Sequence, residues 1–158
     1  QAFVDVLNET DQEEFLSLVT FSGSPKLECP LTNNYTPVLE KVWAIRPNGG
    51  TGIGNGMLTS VEPIVSGENA RLFAVKTIVV LTDGENNSGV HPLEAARTII
   101  ESNDVTIHAV TFTPGADQDS MQEVAGAGKG RHCHANDGSD LVTIFAEIAN
   151  NLPTILTE

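Results

Sequence analysis

Two short stretches hold the side chains best suited to chemistry: Thr82-Asp83-Gly84 and Gly49-Gly50-Thr51-Gly52. Carboxylate and hydroxyl oxygens are what a hard divalent cation such as Mg²⁺ prefers, with water completing the shell. Asp83 would hold such a cation or orient the water around it; the alternative is an Asp-Gly turn with no chemistry. The glycines around Thr51 suggest a phosphate loop, but the lysine and following hydroxyl residue of that motif are missing. No buried strand feeds into the loop, as a dinucleotide site would require. It reads as a tight turn that exposes the Thr51 hydroxyl at the mouth of the next helix.

A second cluster is His132-Cys133-His134. On a strand, His132 and His134 share one face and Cys133 points to the other. Two imidazoles suit zinc, but a tetrahedral site needs further ligands and none is spaced for it. Cys133 is no activated nucleophile, because its flanking histidines face away. His108, with no carboxylate or second histidine near it in sequence, reads as structural. Asp83 and Glu85 could share a metal or divide acid and base roles in a hydrolase, with His132 or His134 in the same site. No nucleophile or general base is obviously placed for that reaction.

The elements that must position these residues alternate between strand and helix. Ile78-Val79-Val80-Leu81 is an apolar run without polar alternation, which predicts a strand buried on both faces and ending at Asp83. Ligands of an open parallel sheet lie beyond such strand ends. Upstream, Ala2, Phe3, Val6 and Leu7 form a helical stripe that ends at Asn8-Glu9-Thr10-Asp11. Phe15–Phe21 and Lys26–Leu31 read as an antiparallel hairpin at a sheet edge. A helix opens at Thr36-Pro37, with Val38, Leu39, Val42, Trp43 and Ile45 as its buried side and Trp43 as a core anchor. Another runs across Met57, Leu58, Val61 and Ile64, with Pro63 in its last turn or kinking it. His91–Ile100 is the crossover helix to the strand Val105–Phe112, a right-handed βαβ unit. A short helix over 119–125, a strand at Arg131–Ala135 and a closing helix from Ser139 to Leu152 complete an α/β domain with helices on both faces.

Composition narrows the function further. At 158 residues and 40% apolar, the chain can bury the core of one globular domain. With 21 acidic against 8 basic residues, its net charge of −13 argues against nucleic acid or anionic membrane as partner. No apolar run approaches the roughly 18 residues of a membrane span, and no leader pattern is read at the start. Cys29 and Cys133 fall toward opposite edges of this architecture, so no intrachain disulfide is expected. The first residues already lie inside a helical pattern, which suggests that something precedes them.

GGTGIGNG at 49–56 and TIVVLTDGENNSG at 77–89 together resemble a von Willebrand factor type A domain. FVDVLNETDQ at 3–12, LVTF at 18–21, PLTNN at 30–34, VTIHAVTF at 105–112 and SDLVTIFAEIANNL at 139–152 extend the likeness almost end to end. The loop and the acidic surface are similar to bacterial examples on secreted or membrane-tethered proteins, some from Tad-like pilus assembly. The resemblance implies one domain over 1–158. Its sheet would be doubly wound, Rossmann-like and mostly parallel, with an antiparallel edge strand. It also implies a metal-ion-dependent adhesion site (MIDAS), with Thr51 matching its second motif and Asp83 its third.

The first motif, Asp-x-Ser-x-Ser on the first strand, does not occur here, so the domain is expected to be N-terminally truncated. That strand would lie mid-sheet, and two inner edges would face a gap. Either the Phe15–Phe21 strand moves over to pair with the central strand, which is the preferred outcome, or another chain supplies the pairing in a strand-exchanged dimer. The function implied is non-enzymatic adhesion or protein–protein interaction. Mg²⁺ or Mn²⁺ in the complete domain, with a site left incomplete in this chain, would meet an acidic residue of a protein partner. The setting implied is extracellular, cell-surface or periplasmic, tethered through other parts of the protein. The alternatives are the Asp83/Glu85 hydrolase and a scaffold with no metal site.

Overall fold

The computed structural model describes residues 2–9, 13–46 and 48–151. The turn at Thr10-Asp11 and the last helical residue expected, Leu152, lie outside them. In chain order the elements are α1 (Ala2–Glu9), β1 (Leu16–Thr20), β2 (Lys26–Thr32), α2 (Thr36–Ala44), α3 (Ile53–Val65), β3 (Thr77–Thr82), α4 (Pro92–Ser102), β4 (Thr106–Phe112), α5 (Gln118–Ala127), β5 (Lys129–Ala135) and α6 (Gly138–Asn150).

The expected βαβ unit is present. Parallel strands stand in the order β3-β4-β5, and Thr77 to Thr82 pair one-to-one with Thr106 to Thr111. Ile107 and Ala109 of β4 are fully buried against one side of this sheet. Their core is completed by Ile78 and Val80 of β3, Ile53 and Met57 of α3, Ala95, Ala96 and Ile99 of α4, and Met121 and Val124 of α5. On the opposite side Cys133 lies in the field of Glu147 of α6, and α6 packs on α1. Among the described side chains of α1, Val4 and Leu7 are buried and Val6 is half-buried.

Three expectations fail. First, β1 does not move over to β3. The hairpin β1-β2 is a separate two-stranded antiparallel sheet, and among the described residues no ladder joins it to the three-stranded one. Helix α3 bridges the two sheets, touching β1, β2 and β3. Second, β3 is not buried on both faces. Ile78, Val80 and Thr82 are buried, but Leu81 is 41% exposed because its side of the strand borders the space left by the split. Third, Trp43 anchors no core. It is 74% exposed, and of the stripe on α2 only Val38 is buried. Spacing shows that a helix has an apolar side but not what covers it, and α2 packs on the hairpin through a narrow contact alone.

Helix α3 also begins earlier than its apolar stripe suggests, so Gly54 and Gly56 are helical rather than loop residues. A Cβ on Gly56 would stand 2.8 Å from the Phe21 ring, so its small size serves close packing of α3 on the hairpin. Pro63 falls in the last turn of α3, as expected. Cys29 and Cys133 are free thiols in different sheets.

Candidate functional site

Strand β3 stops at Thr82 because its hydroxyl folds the next turn back on itself: Oγ1 accepts from the Gly84 N–H at 3.3 Å and donates to the Gly84 carbonyl at 3.2 Å. Asp83, between them, is exposed at the C-terminal end of the strand. Its carbonyl accepts from the Thr113 hydroxyl at 3.5 Å. Thr113 has φ of 70°, a rare conformation for a β-branched residue.

The following loop does the positioning. Asn86 Oδ1 accepts the Ile53 N–H at 2.8 Å, at the start of α3, where Gly52 as N-cap has no side chain to offer. Asn87 Oδ1 accepts the Thr51 N–H at 2.8 Å, and the Asn87 N–H donates to the Thr51 carbonyl at 2.9 Å. Gly52 N–H donates to the Ser22 carbonyl at 2.8 Å, which ties the same loop to the end of β1. The approach is close: a Cβ on Gly52 would stand 2.7 Å from the Ser22 oxygen, and one on Gly50 2.8 Å from Asn87 Oδ1. Three chain segments are thereby laced together around Thr51.

Asn86 and Asn87 escaped the sequence reading, which treated 86–89 only as a polar loop. Short amides after an Asp-Gly turn are a signal that they will cap something. Removing the cap with Asn86→Ala is expected to cost about 1–2 kcal/mol, since it leaves the buried Ile53 N–H unpaired. Urea denaturation of the two proteins side by side checks this, and an unchanged midpoint would mean that water replaces the amide.

Thr51 and Asp83 border one end of a cleft of about 1710 Å³ that runs between the edges of β1 and β3. The two edges point the same way. The C-terminal ends of β1 and β3 meet through Ser22, Gly52, Thr51 and Asn87, whereas near the other end Arg71, ahead of β3, stacks on Phe15 at 4.5 Å and bonds the Glu13 carbonyl. Seven large apolar side chains line the cleft while still exposed: Val42, Ile45, Leu72, Phe73, Val75, Leu81 and Val142. Leu72 and Phe73 are each 82% exposed.

The donor set at Thr51 and Asp83 is oxygen only, which fits a hard cation, but it provides two of about six ligand positions. Among the described residues, no three His, Cys, Asp or Glu side chains are grouped to hold a metal ion. Among the described residues, one buried side-chain hydroxyl has no partner, Ser88 Oγ, and it lies against the Gly50–Gly52 turn.

The imidazoles belong elsewhere. His132 and His134 are on β5, with β4 standing between them and β3, so they do not meet Asp83 and Glu85 in one site. The constellation of Asp83, Glu85 and a C-terminal histidine in one site is therefore not assembled. Both rings turn to Thr111 of β4: its Oγ1 is 2.9 Å from His132 Nε2 and 2.9 Å from His134 Nδ1. Burial, with the neighbouring His134, holds His132 below the ordinary histidine range. Burial also lowers His108, aided by Arg131, whose N–H donates to His108 Nδ1. Burial pushes the Cys133 thiol up, as does the nearby Glu147 carboxylate.

The von Willebrand factor type A domain family profile matches residues 1–147. Among curated proteins, the chain is 30% identical over 111 residues to inter alpha-trypsin inhibitor heavy chain 4 of Mus musculus, covering 65% of this chain and 11% of that one. It thus spans about a tenth of that relative's length. Among solved structures, BatB from Bacteroides thetaiotaomicron superposes with a TM-score of 0.75 at 18% identity, covering 96% of this chain and 84% of that one. Proximal thread matrix protein 1 from the mussel byssus gives 0.77 at 21%, covering 93% and 39%. A form of that mussel protein described as having a zinc-occupied MIDAS motif gives 0.76 at 21%, covering 95% and 41%. These structural likenesses establish the fold.

Proposed function

The chain belongs to the von Willebrand factor type A domain family, and from that premise we propose that it is a non-enzymatic interaction domain that meets a protein partner through a divalent cation. Thr51 would contribute a hydroxyl and Asp83 a carboxylate, and a carboxylate of the partner would take one of the open positions. The observation that carries this reading is the lacing of the Thr51 loop to the loop after Asp83, at the end of an open cleft. A strand seated in the cleft would bring the remaining oxygen ligands. Its own pairing would satisfy the backbone groups of two sheet edges and cover the exposed apolar side chains. In an exchanged dimer a second copy would supply that strand.

The mussel protein with a zinc-occupied motif supports the metal. Mg²⁺ or Mn²⁺ is the cation that an oxygen-only donor set favours here. No helix among the described residues is long and apolar enough to cross a membrane. The extracellular, cell-surface or periplasmic setting, tethered by other segments, and the Tad-like assignment both rest on the sequence resemblance.

The test is calorimetric titration of Mn²⁺ and Mg²⁺ into this chain and into a longer form carrying upstream residues. Binding is expected in the longer form and lost on Asp83→Ala, with the shorter chain binding weakly. Absence of binding in both forms would overturn the metal-dependent reading and leave a scaffold as the second reading.

A further inference from the structure

We propose that His132 and His134, together with the Thr111 hydroxyl, form a separate site for a borderline transition-metal ion, Cu²⁺ ahead of Ni²⁺ and Zn²⁺. The site shares no residue with the Thr51/Asp83 region and does not depend on what binds there.

The two histidines are two residues apart on a strand, so their side chains leave the same face. In the parallel register His134 stands opposite Thr111, and His132 stands opposite Ala109, a residue too small to push its ring away. Both rings lean toward one point, where His132 Nε2 and His134 Nδ1 each lie 2.9 Å from Thr111 Oγ1. Thr111 is fully buried on β4, which is paired on both sides, so the hydroxyl is a fixed anchor. The histidines are half-buried on β5, at the end of the strand order, where an ion can reach them.

These separations suit a metal. Ligands at right angles, with bonds of about 2.0–2.1 Å, stand about 2.9 Å apart, which is the spacing of neighbouring donors in tetragonal coordination. The hydroxyl has one proton to give, so at most one of the two nitrogens takes it as acceptor; the other carries its own proton and donates. A bound ion replaces this arrangement once that ring shifts its proton to the opposite nitrogen, with no net proton released.

The donor chemistry selects the ion. Cys133 leaves the opposite face, so no thiolate joins the site and the closed sulfur-rich zinc arrangement is not available. Two imidazoles and a hydroxyl, with further positions open to water, fit tetragonal Cu²⁺, which also stands highest in the divalent affinity order. The net charge of −13 favours a cation throughout the surface.

The experiment titrates Cu²⁺, supplied as its glycine complex at neutral pH, and reads affinity by calorimetry and ligation by electron paramagnetic resonance. One equivalent is expected to bind with two equatorial nitrogens. His132→Gln and His134→Gln should each weaken it roughly tenfold or more, and Thr111→Val should weaken it less. Excess Mg²⁺ and the Asp83→Ala substitution should leave it unchanged, which separates this site from the one proposed above. Equal affinity in wild type and the His132→Gln/His134→Gln double variant would overturn the proposal. So would a wild-type spectrum without two-nitrogen ligation, a result that does not depend on any variant folding. Transfer of the loss to His91→Gln or His108→Gln would overturn it as well.

Discussion

Truncating Ile107 to alanine is expected to lower the free energy of unfolding by about 3–4 kcal/mol. Ile107 is fully buried in β4, the middle strand of the three-stranded sheet. The cost exceeds simple transfer because the hole cannot close. On one side, Gly128 and Gly130 bring main chain hard against Ile107: a Cβ on Gly128 would meet the Ile107 Cβ, and one on Gly130 its carbonyl oxygen. On the other sides stand residues of α4 and α5 held in the same core. Walls made of backbone relax little, so the cavity term stays near its full value. Ile107→Val, which removes one methylene, should cost about 1 kcal/mol. Denaturant titration reads both, through a lower midpoint at constant slope. A loss below about 1 kcal/mol for the alanine variant would show that β5 moves in to fill the space.

Gly54→Ala should also destabilise, by about 2 kcal/mol net, although alanine is the better helix former. Gly54 lies in the first turn of α3, where the helix crosses the main chain ahead of α4. A Cβ there would meet the Val90 carbonyl oxygen, stand 2.9 Å from the Val90 carbonyl carbon and 3.3 Å from that of His91. These are backbone atoms, and the Val90 N–H is itself held by Asn55 Oδ1 at 3.0 Å, so no flexible side chain can swing aside. Separating α3 from α4 should cost about 3 kcal/mol, against about 1 kcal/mol gained in helix propensity, so the clash wins. Gly126 is the internal control. It is also helical, but a Cβ there would meet nothing within 4 Å. Gly126→Ala should therefore stabilise by about 0.5–1 kcal/mol. Opposite shifts of the thermal midpoint for the two substitutions would confirm the account; equal shifts would remove it.

The glycines of α3 also show what sequence alone could and could not convey. A glycine run reads as a turn whether its purpose is chain reversal or close helix packing, so Gly54 and Gly56 looked like loop residues. Strand–helix alternation, the parallel β3–β4 pair and the position of Asp83 after its strand were legible, because periodicity and strand ends encode them locally. Trp43 was not legible, because burial on α2 depends on which other elements reach it. Neither was the split between β1 and β3, which depends on how α3 holds the two sheets. Asn86 and Asn87 act over more than thirty residues of sequence, bonding Ile53 and Thr51, a range at which short motifs carry no signal.

The two sheets differ in how they come open. The run β3-α4-β4-α5-β5 pairs each strand with the next in sequence and holds most of the core, so its central amides exchange only with global unfolding. The β1-β2 hairpin is joined to that unit through α3 and a few loop hydrogen bonds. It forms a weaker cooperative unit, with an opening free energy below that of the whole domain. Since β1 is one lip of the cleft, a fluctuation of the hairpin widens the slot while the larger unit stays folded. An extended segment can therefore enter sideways on the timescale of local breathing, without waiting for the domain to unfold.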